Sequence, residues 1–211
     1  MGKEAVKNKY FDKIKPVFRK IRFSQINMDD MARLMDISKA TLYKYFSSKD
    51  EIITMFVDYC ADYLKMADAA LADETLSFAR RFRLSYEHSL KTVIYVPDIL
   101  LQDLKELYPH LHEKLMLAMQ DHIRSMQRFI DAGAEAGFFR RVNAALYVVQ
   151  DDAVLRRIFE PTFSIQFDVT LKQALVEFYL LKKHQLIVPE MLHMVDDAEV
   201  ERDIAQIIQR M

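Results

Sequence analysis

Apolar side chains recur at helical spacing along nearly the whole chain. Tyr10, Ile14, Val17, Phe18 and Ile21 form one stripe, which predicts a first helix. Pro16 falls inside that stripe; it lacks a backbone donor and crowds the preceding turn, so a kink or a late helix start is expected there. A short helix is predicted over about 28–35, with Asn27 as its N-cap and Asp29 and Asp30 near its positive end. Another covers about 39–46, capped by Ser38. Ser48-Lys49-Asp50-Glu51 has capping-box spacing and opens a long helix. Ile52, Phe56, Tyr59, Cys60, Tyr63 and Ala67 carry the apolar face of that helix. Further helices are predicted at about 75–95, 97–108, 110–135, 143–160, 167–186 and 197–210, separated by Pro97, Pro109, Pro161 and Pro189. Gly133 and Gly137 flank the end of the 110–135 segment. The expected fold class is all-α, with three short helices followed by longer ones, nine to ten in total. No segment alternates with the period of two that a half-buried strand requires.

Composition sharpens this picture. The chain has 211 residues, 51% of them hydrophobic, enough to build a core. Three glycines and five prolines are too few for the many turns of a sandwich or barrel. A single cysteine, Cys60, excludes an internal disulfide and suits a reducing, cytoplasmic setting. The first residues run into charge rather than an apolar stretch, so no secretory signal is expected. No window approaches the roughly 20 apolar residues of a membrane span, so no membrane partner is expected.

Charge divides the chain. Residues 1–49 hold 12 Lys and Arg against 5 Asp and Glu, and the remaining residues hold 18 against 26. A basic first quarter on an acidic body suits a polyanion-binding head; a solvated lysine-rich helix face has the same composition.

The segment from Met28 to Lys49 carries the most chemistry. Two short helices meet at Asp36-Ile37, with Met31, Ala32 and Met35 on one face of the first. Ile37, Leu42 and Phe46 anchor the second against it. This is the layout of a helix-turn-helix, in which the second helix enters a major groove. Asp36 stands at the turn, where a positive φ is often needed. The second helix then exposes Lys39, Thr41, Tyr43, Lys44 and Tyr45, with Ser38 at its N-terminal end. Lys49, at the start of the next helix, is expected to meet the DNA backbone. An ordinary helical hairpin with solvated Lys and Tyr is the plainer alternative.

The run Ile37-Ser38-Lys39-Ala40-Thr41-Leu42-Tyr43-Lys44-Tyr45-Phe46, followed by Ser48-Lys49-Asp50-Glu51-Ile52, resembles the signature of the tetracycline-repressor (TetR) family. The resemblance extends back through Met28-Asp29-Asp30-Met31-Ala32 to Phe18. It continues weakly in Leu104–Pro109 and Ala136–Arg140. Three positions depart from it: Arg22, Asp36 and Ala40 stand where members usually or often carry glycine. The resemblance implies an all-helical protein with a DNA-binding domain over 1–49 and a ligand-binding and dimerisation domain over 50–211. It implies a homodimer on a near-palindromic double-stranded operator, acting as a transcriptional regulator and most simply a repressor. DNA contacts then fall to Ser38, Lys39, Thr41, Tyr43, Lys44, Tyr45 and Lys49.

The body offers less. Phe78, Phe82, Tyr86, Met119, Met126 and Phe129 suit either an apolar cavity or a plain core. A small apolar or amphipathic effector is expected among Tyr63, Phe82, Tyr86, Met119, His122 and Met126, because aromatic and methionine side chains with few polar groups make up such sites. Ser85, Ser89 and His122 read as satisfied or exposed groups beside those faces. The resemblance puts the dimer face on the helices near 143–160 and 167–186, through Tyr147, Leu155, Ile158, Phe159, Leu171, Leu175 and Phe178; the alternative is that both stripes bury within one subunit. Asp152 precedes Arg156 by four residues, a helix-surface pair. Asp151 lies on the apolar side, facing either a pocket or an interface.

No metal or cofactor is expected: His110 and His112 point to different helix faces, and Cys60 and His88 have no partner at ligand spacing. Nor is catalysis, since no phosphate loop, Gly-x-Ser-x-Gly or His-Glu-x-x-His is present. A helical ligand-binding or protein-interaction module without active DNA binding is the alternative function.

Overall fold

Asn27 opens the second helix by closing its first turn. Its side-chain oxygen accepts the N–H groups of Asp29 (2.9 Å) and Asp30 (3.0 Å), while the Asp30 carboxylate accepts the N–H of Asn27 (3.0 Å). This reciprocal cap satisfies donors that the helix cannot pair internally. A computed structural model describes residues 2–209, so the expected end of the last helix at about 210 lies outside the described residues.

Eleven α-helices and two 3-10 turns form the regular structure of those residues. In chain order they are α1 (Lys3–Phe18), the turn Phe23–Gln25, α2 (Met28–Met35), α3 (Lys39–Tyr45) and α4 (Lys49–Ala72). Then follow α5 (Phe78–Tyr95), α6 (Asp98–Leu107), α7 (Pro109–Glu135), α8 (Ala144–Ile158) and α9 (Phe163–Phe167). The chain ends with α10 (Leu171–Leu186), the turn Pro189–Met194 and α11 (Asp197–Gln209). Ten of the helices have seven residues or more. Pro16 lies within the last turn of α1, two residues before its end. No helix is long and apolar enough to cross a membrane, among the described residues.

Two compact units divide the chain. The first takes residues up to Tyr63 together with Ile94–Ala118. Here α1 packs on α2 and α2 on α3. Ile14, Phe18, Met31, Met35, Leu42, Phe46 and Phe56 are all buried, and the Phe18 ring meets Phe23 and Phe56 edge-on at 5.2 Å. Between α2 and α3, Asp36 adopts the left-handed conformation (φ 59°, ψ 51°), and the Ile37 N–H returns to the Ala32 carbonyl at 3.0 Å. The positive φ expected at this turn is therefore present, on an aspartate rather than a glycine.

The second unit takes Leu64–Val93 and the chain from Met119 onward. Its aromatic core joins Phe78, Phe82, Phe129, Phe138, Phe139 and Tyr179. Phe139 lies so close to Gly133 that a Cβ there would come within 2.0 Å of its ring. Gly137, at φ +73°, then reverses the chain. The helix expected at 167–186 starts later. Asp168 is left-handed (φ 49°), and Thr170 and Gln173 form a capping box that opens α10. The residues before it fold into the separate short helix α9.

Candidate DNA-binding face and ligand cavity

The α3 helix presents one face outward. Ser38 caps it, its Oγ accepting the Thr41 N–H at 3.1 Å and sharing a hydrogen bond with Thr41 Oγ1 at 2.8 Å. Leu42 and Phe46 are buried against the head, while Tyr43 is 51% exposed and Lys44 is exposed. Lys39 is exposed and pairs with Asp29 across the turn at 2.7 Å, which raises its pKa. Tyr45 is half-buried, edge-on to Tyr10 at 5.4 Å. Six of the seven expected DNA residues therefore share this helix or its cap, with Tyr43 and Lys44 the freest.

Lys49 opens α4 with its side chain turned into the first unit. Its ammonium donates to the Phe23 carbonyl within the first unit, so it ties α4 to the connection after α1. The same connection is held from α6. The buried Asp103 carboxylate accepts the Phe23 N–H, and Arg22 lies 3.8 Å from Asp103 and 3.5 Å from Glu106. Sequence reasoning missed Asp103 because its partners lie 80 residues away. The one available signal was Arg22, where the family resemblance puts a glycine.

The second unit contains a cavity of about 210 Å³. Leu64, Val93, Met119, Ile123, Met126 and Val148 give it apolar walls, and Ser89, Thr92, His122, Asp151 and Asp152 add polar groups. Asp151, 5% exposed, accepts from Ser89 Oγ at 2.9 Å and lies 3.3 Å from the ammonium of Lys182, which is 1% exposed. Burial pushes the Asp151 carboxyl up and the Lys182 ammonium down, each opposed by the other's charge. His122 Nδ1 meets Asp68 Oδ1 at 2.6 Å. Of the six expected effector residues, Met119, His122 and Met126 line this cavity. Phe82 packs on Phe139 and Tyr179, and Tyr86 donates its hydroxyl to the Leu175 carbonyl at 2.6 Å. Tyr63 belongs to the first unit, edge-on to Tyr95. Thr92 and Lys182 went unforeseen. The signal for Lys182 is a lysine on the apolar stripe Leu175–Phe178–Leu186, facing an aspartate on the stripe Tyr147–Leu155.

Residues 17–54, which contain the helix-turn-helix just described, match the family "Bacterial regulatory proteins, tetR family". The helix-turn-helix head is similar to that of this family. No curated protein matches the chain by sequence. Solved structures share its fold at low identity. A transcriptional regulator from Saccharomonospora viridis in complex with choline aligns with a TM-score of 0.66 at 16% identity, over 88% of this chain and 99% of that one. The ketosteroid transcriptional regulator KstR2 of Mycobacterium tuberculosis gives 0.63 at 15%, over 86% and 95%. AibR in complex with isovaleryl coenzyme A and operator DNA gives 0.58 at 16%, over 82% and 97%.

In this tetR-like fold the expected dimer residues fall mostly inward. Tyr147, Leu155, Ile158, Leu175 and Phe178 are buried within the chain itself, and Phe159 and Leu171 are half-buried. The apolar stripes of α8 and α10 bury these five in their own unit's core, the alternative that the sequence left open. The apolar side chains the same helices leave in solvent are Leu146 (67% exposed), Val149 and Leu181 (68%), with Ile165 and Phe167 on α9. Asp152 and Arg156 form the expected pair at 2.9 Å.

Proposed function

We propose that the chain is a ligand-responsive transcriptional repressor, working in the cytoplasm as a homodimer on a near-palindromic operator. Residues 1–49 bind DNA and residues 50–211 bind the effector and dimerise. The observation that carries this reading is the outward face of α3, with Tyr43 and Lys44 exposed over buried Leu42 and Phe46, inside the family-matched segment. Ser38, Lys39, Thr41 and Tyr45 border that face, and Lys49 serves by holding the Phe23 connection. The AibR complex with operator DNA and isovaleryl coenzyme A, and the choline complex of the S. viridis protein, support a body that takes a small amphipathic effector. Exposed Leu146, Val149 and Leu181 support a dimer through α8 and α10, in a four-helix arrangement.

A mobility-shift titration on the DNA flanking the protein's own gene tests this. Lys44→Ala is expected to weaken binding to every sequence and to lower the salt slope by about one. Thr41→Ala is expected to reorder operator variants without changing the slope. Absence of any salt-dependent shift favours the ligand-binding module without DNA activity, a reading that the pairing of Lys39 with Asp29 supports.

A further inference from the structure

The second unit's cavity has a polar end with an excess of acceptors. Asp151 Oδ2 receives the Ser89 hydroxyl. Its Oδ1 has only the oblique approach of Lys182 at 3.3 Å, which is an ion-pair contact without hydrogen-bond alignment. Lys182 directs its ammonium elsewhere: to the Tyr147 carbonyl at 2.8 Å, to Gln150 Oε1 at 3.5 Å, and over the Tyr147 ring at 3.1 Å. Thr92 Oγ1 is buried with no hydrogen-bond partner among the described residues. Both Asp151 and Thr92 line the cavity. A buried acceptor without a donor is costly, so each is a place where a ligand donor gains more than it would in water.

Charge narrows the class of that donor. Asp151 and Asp152 are both in the lining, whereas Lys182 and Arg156, their cationic partners, are not. An anionic head would meet two carboxylates there, and a cationic head would meet them with Lys182 as the opposing charge behind. Apart from Ser89, Thr92 and His122, the rest of the wall is apolar, chiefly Leu64, Val93, Met119, Ile123 and Met126. A cavity of about 210 Å³ limits the occupant to a small molecule.

We propose, on the reading that the second unit takes an effector, that this cavity selects a small protonated amine with a short apolar tail. Its N–H groups are received by Asp151 Oδ1 and Thr92 Oγ1, and its tail lies along Met119, Ile123 and Met126.

The test uses the full chain without DNA and three probes of one tail length: hexylammonium, 1-hexanol and hexanoate. Calorimetric titration is expected to rank hexylammonium first and hexanoate last, with about tenfold between the ammonium and the alcohol, as one charge-assisted hydrogen bond supplies. Asp151→Asn is expected to remove that tenfold preference, so that hexylammonium and hexanol bind alike. Should that variant fail to fold, Thr92→Val, which keeps the shape, is expected to weaken hexylammonium severalfold, while Met126→Trp fills the cavity and abolishes binding of all three. Equal or tighter binding of hexanoate overturns the proposal. So does a folded Asp151→Asn protein that binds hexylammonium like the parent, or hexylammonium binding that Met126→Trp leaves intact. Failure of amine selection beside a persisting salt-dependent DNA shift overturns only this proposal. Amine selection without any DNA shift overturns only the regulator reading.

Discussion

In the head, Asn27 and Ser38 cap helices with donors two or three residues away, and Asp36 closes α2 within one turn. In the second unit four polar contacts join residues far apart in the chain: Ser89 to Asp151, Tyr86 to the Leu175 carbonyl, Lys182 to the Tyr147 carbonyl and Lys183 to Asp197. The difference decides what each region tolerates. Local caps contribute a little each and fail one at a time. A buried charge pair is costly to break from either side, because the survivor is left without compensation in a medium of low polarity.

The largest expected effects test that contrast at its two cores. Leu42→Ala and Phe46→Ala, at fully buried positions, are expected to cost about 3–5 kcal/mol and to melt the helix-turn-helix. Amide exchange is expected to accelerate in α2 and α3, with protection in α8 and α10 unchanged. In the second unit, Lys182→Met is expected to cost about 3–5 kcal/mol, because Asp151 is left buried without its cation. The double change Asp151→Asn, Lys182→Met is expected to recover most of that loss in denaturant melts. A double variant as unstable as the single one would show that the pair's geometry, and not its charge, holds α8 to α10.

Acid should separate the two units by where each begins to weaken. Burial drives His88 down to about 4, against an ordinary 6.5, with Glu87 and Asp68 opposing and His122 and Lys91 assisting. Unfolded chain therefore binds more protons between those values, so this contribution is lost as pH falls from about 6.5 to 4. The raised Asp151 carboxyl works in the opposite direction, so the difference between the parent and His88→Leu isolates the histidine. In the first unit, the Lys7 ammonium and then Ser47 hold Glu51 at about 2. Its contribution persists to about pH 4.5 and is lost as pH falls from there toward 2. Exchange protection in α5 is expected to decline at a higher pH than protection at the start of α4. The reverse order would break the comparison.

The same difference explains what could be read in the chain. Asn27, Ser38, Asp36 and the buried set Leu42 and Phe46 belong to one stretch of about 20 residues, and helix rules act over that range. All of the body's helices except α9 were also legible in approximate position, since periodicity needs no knowledge of partners. Their assignments were not. An apolar stripe gives no sign of which surface covers it, so Tyr147, Leu155 and Phe178 suit an interface and a core equally until the fold is known. Asp151 and Lys182 sit on stripes of separate helices, and the sequence shows each as an isolated exception. The effector residues divided for the same reason. Met119, His122 and Met126 share one face of α7 and reached the cavity together, while Phe82 and Tyr86 on α5 met Tyr179.

Smaller effects test whether the head's caps are independent. Asn27→Ala removes the side-chain half of the α2 capping box, leaving the backbone N–H that donates to Asp30, and is expected to cost about 1 kcal/mol. Thermal melts of the parent and the variant check the value. Combined with a distant α10 change such as Thr170→Ala, the losses are expected to add within about 0.5 kcal/mol. A larger discrepancy would mean that caps in the two units share a common transition.

The smallest expected effect is a gain. Asp36 holds φ at 59°, a region that costs an ordinary residue roughly 1 kcal/mol or more and aspartate somewhat less. Asp36→Gly relieves that strain but loosens the unfolded chain, which takes back part of the gain. It also removes the contact with Lys13 at 3.3 Å, and that aspartate side chain is 91% exposed, so little is lost with it. The net is expected to be a stabilisation of a few tenths of a kcal/mol, read as a higher denaturant midpoint with an unchanged slope. Asp36→Ala, which keeps the strain and loses the local hydrogen-bonding side chain, is expected to move the midpoint the other way. If glycine instead destabilises the head, the Lys13 contact outweighs backbone strain. The α2–α3 turn would then depend on a partner 23 residues away, as the second unit's polar groups depend on theirs.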